Sequence, residues 1–217
     1  MRVVRKDAQR NRERVLAAAR EVYAEQGVEA PLDVIARRAG VGNATLYRRF
    51  PDRAALVEAV FHETLDRVRQ AGEEARRAAD PWAGLNAYLE AVFTVLAGDR
   101  GANDLMTTGL QGVPSLETLH PHNAETLAGL LGRCRRQGTV RTDVGTEDLL
   151  FALAALGRAV PALETAAPGA WRRPLALLVD GLRPEAARDL PAPPLTADQL
   201  SGTLREMNRT RSRPVPG

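Results

Sequence analysis

Hydrophobic positions recur at helical spacing along the whole chain, and strand-like alternation is absent. From Asp7 to about Gln26, Val15, Leu16, Ala19, Val22 and Tyr23 follow an i, i+3/i+4, i+7 pattern, and Gly27 supplies the stop. Pro31 opens a short helix through Ala39, with Asp33 in its first turn. Gly40-Val41-Gly42 then breaks the chain. Asn43 reads as the N-cap of a second short helix ending near Phe50, and Pro51-Asp52 closes it and caps the next. A long helix is predicted over 53–79. Asp80-Pro81 starts another, striped by Trp82, Leu85, Leu89, Val92 and Leu96. AGDRGAND (97–104) reads as a loop, followed by a short helix over about 103–111. GVPS restarts the chain toward a helix ending near Gln137-Gly138, which His120-Pro121 should bend or interrupt. The two most hydrophobic helices are predicted at 146–164 and 169–183. A short one follows over 196–208, with disorder at 209–217.

The pattern gives an all-α chain of about nine helices. Composition supports it, because Ala and Leu are abundant and aromatics make up only 4%. With 217 residues, 44% of them hydrophobic, a substantial core needs no disulfide or metal staple. The single cysteine, Cys134, has no intrachain partner. No apolar run approaches the ~18–20 residues that span a bilayer. The charged N-terminus lacks the apolar region of a secretory signal, so a cytoplasmic protein without membrane contact is expected.

Net charge is only +3, but it is unevenly placed. Residues 1–53 hold 12 Arg/Lys against 7 Asp/Glu, whereas 54–217 hold 18 against 20. The positive end is the one expected to meet a polyanion. Lys6 is the only lysine.

Two short helices joined by a tight turn read either as a simple helix hairpin or as a helix-turn-helix. The steep crossing of the latter needs a small residue in the first helix and a turn residue tolerant of positive φ. Ala36 and Gly40 meet both needs at a spacing of four, and Ile35, Ala39, Val41 and Leu46 fill the small core between them. The rest of 43–49 is polar and basic. Such a helix fits the major groove of B-DNA, with Arg suited to guanine, Asn to adenine, and hydroxyl and basic groups to phosphate.

The segment VLAAAREVYAEQGVEAPLDVIARRAGVGNATLYRRFPDRAALVEAV (15–60) resembles the DNA-binding domain of the tetracycline-repressor (TetR) family. Its Ala-Gly-Val, Thr-Leu-Tyr-x-x-Phe and Asp-Arg-x-x-Leu elements stand in order without gaps, and LLVDGLR (177–183) is similar to the end of the last helix in many members. The resemblance implies a helix-turn-helix domain over 1–52, a ligand-binding and dimerisation domain over 53–208, and a tail over 209–217. It implies that Gly42, Asn43 and Ala44 lie closest to base edges and that Thr45 bonds a phosphate or a base. Tyr47 and Arg49 would grip phosphate, Arg48 would reach bases or backbone, and Arg53 would pair with phosphate. One departure stands out. Ala30-Pro31-Leu32 occupies the place where the family commonly has Thr or Ser, so one backbone contact is either absent or replaced by the N-terminal arm (Arg2, Arg5, Lys6, Arg10, Arg12).

Leu149, Leu150, Leu153, Leu156 and Val160, with Leu175, Leu178, Val179 and Leu182 and the small residues Ala154 and Gly157, form either a core or a face for a second chain. The resemblance implies the second, a two-fold four-helix interface. The middle helices should enclose a pocket, for which Phe61, Leu65, Tyr88, Phe93, Met106, Leu110, His122, Leu127 and Leu131 are candidates, each also suited to plain core. No charged residue falls within these stripes, which suggests a neutral apolar or aromatic effector. His120-Pro121-His122 is poorly spaced for a metal, Cys134 is twelve residues on, and no carboxylate cluster is near. No metal or cofactor is expected, and no catalytic constellation can be assembled. The expected function is a homodimeric transcriptional repressor. It would bind palindromic double-stranded DNA and be released by a small molecule, with the long helix from residue 53 as the lever.

Overall fold

The computed structural model describes the backbone of residues 2–108, 110–186 and 188–211, and side chains over 9–107, 110–185 and 188–207. The described residues form ten α-helices and one 3-10 turn. They are α1 (Arg2–Gln26), α2 (Leu32–Ala39), α3 (Asn43–Arg49), α4 (Arg53–Arg77), α5 (Pro81–Gly98), α6 (Arg100–Thr108), α7 (Pro114–Arg136), α8 (Thr146–Ala166), α9 (Arg172–Asp180) and α10 (Ala197–Arg211).

Two apolar cores hold them. The first joins α1–α3 to the first half of α4, to α6 and to the start of α7, around Tyr23, Ile35, Leu46, Phe61 and Leu105. The second gathers the end of α4 with α5, α7, α8 and α9 around Tyr88, Phe93, Leu130 and Trp171. Phe93 and Trp171 stack there with ring centroids 5.9 Å apart. The reading head is therefore not packed on itself alone, because α4 and α6 supply part of its core.

Several boundaries differ from the pattern for identifiable reasons. α1 starts at Arg2 rather than Asp7, so the basic N-terminal segment is helix and not an extended arm. The expected loop at 97–104 shrinks to Asp99. Its amide bonds back to Val95 O, and its Oδ1 accepts from Ala102 N at 2.9 Å, ending α5 and capping α6 within one residue. α7 runs unbroken through Pro121, which removes a single ladder bond without ending the helix. α10 continues to Arg211, overlapping the expected tail; residues 212–217 lie outside the described residues. α8 corrects a further expectation. By length and composition it is apolar enough to cross a bilayer, with mean hydropathy 1.4 over its most apolar stretch, since its few charges are dispersed.

The turn between α2 and α3 follows its sequence. Gly40 takes φ 62°, and its amide and that of Val41 close the end of α2 on Arg37 O and Ala36 O. A left-handed L-residue costs about 1–2 kcal/mol, so Gly40→Ala should lower the unfolding free energy by about that amount. Gly42, at φ −70° with open space beside it, should accept Ala with no loss, and urea titrations of the two variants check both expectations.

Candidate functional site

α3 is two turns long and held on one side. Leu46 and Phe50 are buried in the core that also holds Ile35, Ala36 and Ala39 of α2. Gly42, Asn43, Ala44, Tyr47, Arg48 and Arg49 are exposed, and Thr45 is half-buried. The N-cap is Gly42 rather than Asn43. Asn43 begins the helix, so its amide group is not consumed in capping.

The arginines of the head differ in their partners. On α2, Arg37 pairs with Asp33, and Arg38 with Glu25 at 2.6 Å and Glu21 at 3.8 Å. On α3, neither Arg48 nor Arg49 has a hydrogen-bond or ion-pair partner among the described residues, and Tyr47 is 49% exposed. Desolvated pairing has therefore not been spent on the α3 guanidiniums, and an incoming anion meets them without displacing a carboxylate. Asn11, Arg12 and Val15 of α1 face Thr45, Arg48 and Arg49 across a cleft of about 190 Å³. Asn11 was not singled out by the sequence pattern. Only the crossing of α1 over α3 brings it beside the exposed face.

Arg53, expected to pair with phosphate, makes contacts within the head. Its guanidinium donates to Val28 O at 2.9 Å and Ala30 O at 2.5 Å, clamping the α1–α2 turn from inside. Ala30 and Leu32, where the family commonly has a hydroxyl, are buried core, and α2 has Pro31 as its N-cap with no side-chain cap bond. Arg10 is exposed; the side chains of Arg2, Arg5 and Lys6 lie outside the described residues.

A second feature is a cavity of about 340 Å³ among α5, α6, α7, α8 and α10. Of the nine pocket candidates, Tyr88, Phe93, Met106 and Leu127 line it, together with Val92, Leu153, Ala154 and, from α10, Leu200 and Leu204. The other five lie elsewhere. Phe61 and Leu65 belong to the first core, Leu110 packs against that core, and Leu131 is buried in the second. His122 accepts from Arg76 at 2.9 Å at the α4–α7 contact. The absence of charge expected from the stripes is corrected by Arg158. It borders the cavity while donating to Thr107 O and, at 3.0 Å, to Met207 O, drawing α6 and α10 onto α8. Other polar atoms come from His120, Asn123 and Thr107. Burial pushes the Tyr88 phenol up in pKa, so it stays protonated and donates to Asn123 Oδ1 at 2.6 Å.

Of the residues expected at a dimer interface, Leu149, Gly157, Val160, Leu175, Val179 and Leu182 are buried within the single chain, and Leu153, Leu156 and Leu178 are half-buried. One side of α8 carries the half-buried Ala155 and the exposed Ala159, Ala162 and Ala166, spaced i, i+4, i+7, i+11, and α9 exposes Leu177 by 63%. Only 17% of the most apolar stretch of α8 is buried.

Comparison with known proteins bears on both features. The family described as bacterial regulatory proteins, tetR family, matches residues 15–60, and the SbtR-like transcriptional regulator C-terminal domain matches 80–184. An HTH-type transcriptional regulator of Staphylococcus aureus is 41% identical over 64 residues, a match that takes in 29% of this chain and 35% of that regulator. The TetR transcriptional regulator SCO0520 of Streptomyces coelicolor is 30% identical, with 80% of this chain and 98% of that one covered at a TM-score of 0.52. The FadR regulator of Bacillus subtilis, solved in complex with stearoyl-CoA, shares the fold at 18% identity and a TM-score of 0.59, over 81% and 99% of the two chains. With the head, the helical body and a full-length relative all agreeing, the chain belongs to the TetR family of DNA-binding transcriptional regulators.

Proposed function

We propose that the chain works as a homodimeric repressor of a palindromic DNA site and that a small effector in the 340 Å³ cavity releases it. The observation that carries the DNA reading is the unpaired, exposed face of α3, anchored by Leu46 and Phe50. On this reading residues 1–52 are the reading head and 53–208 the sensing and pairing unit. Gly42, Asn43 and Ala44 approach base edges, Thr45 and Arg48 contact bases or backbone, and Tyr47 and Arg49 grip phosphate. Asn11 and Arg12 extend the phosphate grip along α1, taking the place of the missing hydroxyl at α2. Arg53 acts from behind, by holding the turn that orients α2.

One such helix buries too little surface for specificity, so two heads must read half-sites about 34–36 Å apart or a multiple of that. The alanine stripe of α8 and Leu177 of α9 form the pairing face, the small side chains permitting close helix approach. The effector is a small molecule with an apolar body and few polar atoms, because the walls are mainly Leu, Val and aromatic and the polar groups are those of Tyr88, Thr107, His120, Asn123 and Arg158. The B. subtilis regulator that shares this fold was solved in complex with stearoyl-CoA, a molecule whose acyl chain is apolar. Release follows if the effector favours a conformation in which the two heads are wrongly spaced.

In vitro selection from random duplexes tests the reading. The expected product is an inverted repeat bound by the dimer, with affinity falling steeply as salt rises, by a log–log slope of about −0.9 for each phosphate neutralised. Recovery of no preferred sequence would sink it.

A further inference from the structure

α6 has only nine residues, yet it carries two adjacent buried polar side chains, Asn103 at 3% and Asp104 at 7% exposure. Successive helical residues point about 100° apart, so the pair reaches opposite neighbours. Asn103 Nδ2 donates to Gly157 O in α8 at 2.9 Å and to Leu96 O in α5 at 3.3 Å. The Gly157 carbonyl would ordinarily accept from the amide of residue 161, which is Pro161 and has none. Asn103 thus satisfies a buried carbonyl that the proline leaves open.

In the other direction, Asp104 Oδ2 accepts from Val28 N at 2.8 Å, in the turn between α1 and α2. The carboxylate lies against bare backbone, since a Cβ on Gly27, at φ 82°, would fall 2.7 Å from Oδ2. The carbonyl of the same Val28 is held by Arg53. At its far end α6 presents Met106 and Thr107 to the cavity. One short helix therefore connects cavity wall, pairing helix and reading head. It does so through directional bonds, which fix position more sharply than apolar contacts that slide.

We infer that Asn103 and Asp104 are positioning residues that carry the state of the cavity to the DNA-reading head. An occupant pressing on Met106 and Thr107 shifts α6 against α8, and Asp104 draws Val28, and with it α2 and α3, out of register with the groove. This route acts beside the long α4 and rests on the reading that the cavity takes the effector and α3 reads DNA.

A double-mutant cycle on the selected operator duplex tests it with the full chain. Leu153→Trp fills part of the cavity and serves as the occupant. In the otherwise unaltered protein it should weaken operator binding by about tenfold, a typical coupling between sites. With Asp104→Leu the loss on adding Leu153→Trp should shrink to less than about twofold. With Asp104→Asn, which keeps an acceptor for Val28 N–H, it should return to about tenfold. Gly27→Ala breaks the same contact from the turn side while leaving the carboxylate in place, and should also abolish the response. It supplies the answer if Asp104→Leu does not fold. Equal losses in all backgrounds overturn the relay while leaving the cavity reading intact. No loss in the unaltered protein overturns the cavity reading and the relay together.

Discussion

The double substitution Arg48→Ala/Arg49→Ala is expected to weaken operator binding by roughly a hundredfold to ten-thousandfold at physiological salt, from two charge-assisted contacts worth about 1.5–3 kcal/mol each. The fold should be untouched, because both side chains are exposed and partnerless among the described residues. Titrating salt separates their roles. A residue that grips phosphate lowers the slope of log affinity against log salt by about one when removed, whereas one that reads a base relaxes the sequence preference at its position. Arg49→Ala should show the first behaviour. Tyr47→Phe, which deletes one hydroxyl from a half-exposed ring, should cost about 1 kcal/mol of binding with no change in melting temperature. Unchanged affinity across these variants would remove α3 from the DNA interface.

The second large effect is expected at the pairing face. Leu177→Glu replaces an apolar side chain that is 63% exposed in the single chain and adds nothing to its core. Size-exclusion chromatography with light scattering should show a dimer becoming a monomer. Circular dichroism should stay unchanged, and operator affinity should fall by at least about a hundredfold, because each head then binds alone without the effective concentration its twin supplies. Ala162→Glu, on the exposed stripe of α8, should do the same. Leu175→Glu and Val160→Glu give the contrast. Both positions are buried within the chain, so these variants should unfold the protein rather than divide it. A Leu177→Glu protein that remains dimeric would place the pairing surface elsewhere.

Burial bears on the pairing face in a way the leucine spacing does not. A periodic run of leucines marks an apolar face, but not whose apolar face it is. In α8 the bulky residues Leu149 and Val160 turn toward α5, α7 and α9, and small alanines are left outside. The cavity is similar. Tyr88, Phe93, Met106 and Leu127 sit on helices that converge, whereas Phe61 and Leu65, equally apolar and equally periodic, are consumed by the head's core.

By itself the sequence determined what depends on local spacing. The helical period, the Gly40 turn, the Asp52 and Asp80 caps and the amphipathic split of α3 are all set within a few residues, by backbone geometry and side-chain chemistry. The order of the Ala-Gly-Val, Thr-Leu-Tyr and Asp-Arg elements then carried the family resemblance. The tertiary structure decided whatever depends on which distant groups meet. It turned Arg53 inward onto Val28 and Ala30, brought Asn11 beside Arg48, set Arg158 against a cavity read as uncharged, and joined Asp104 to a turn 76 residues away. Such partners are chosen by helix crossing and by the need of buried polar groups for a bond, neither of which leaves a mark at fixed spacing along the chain.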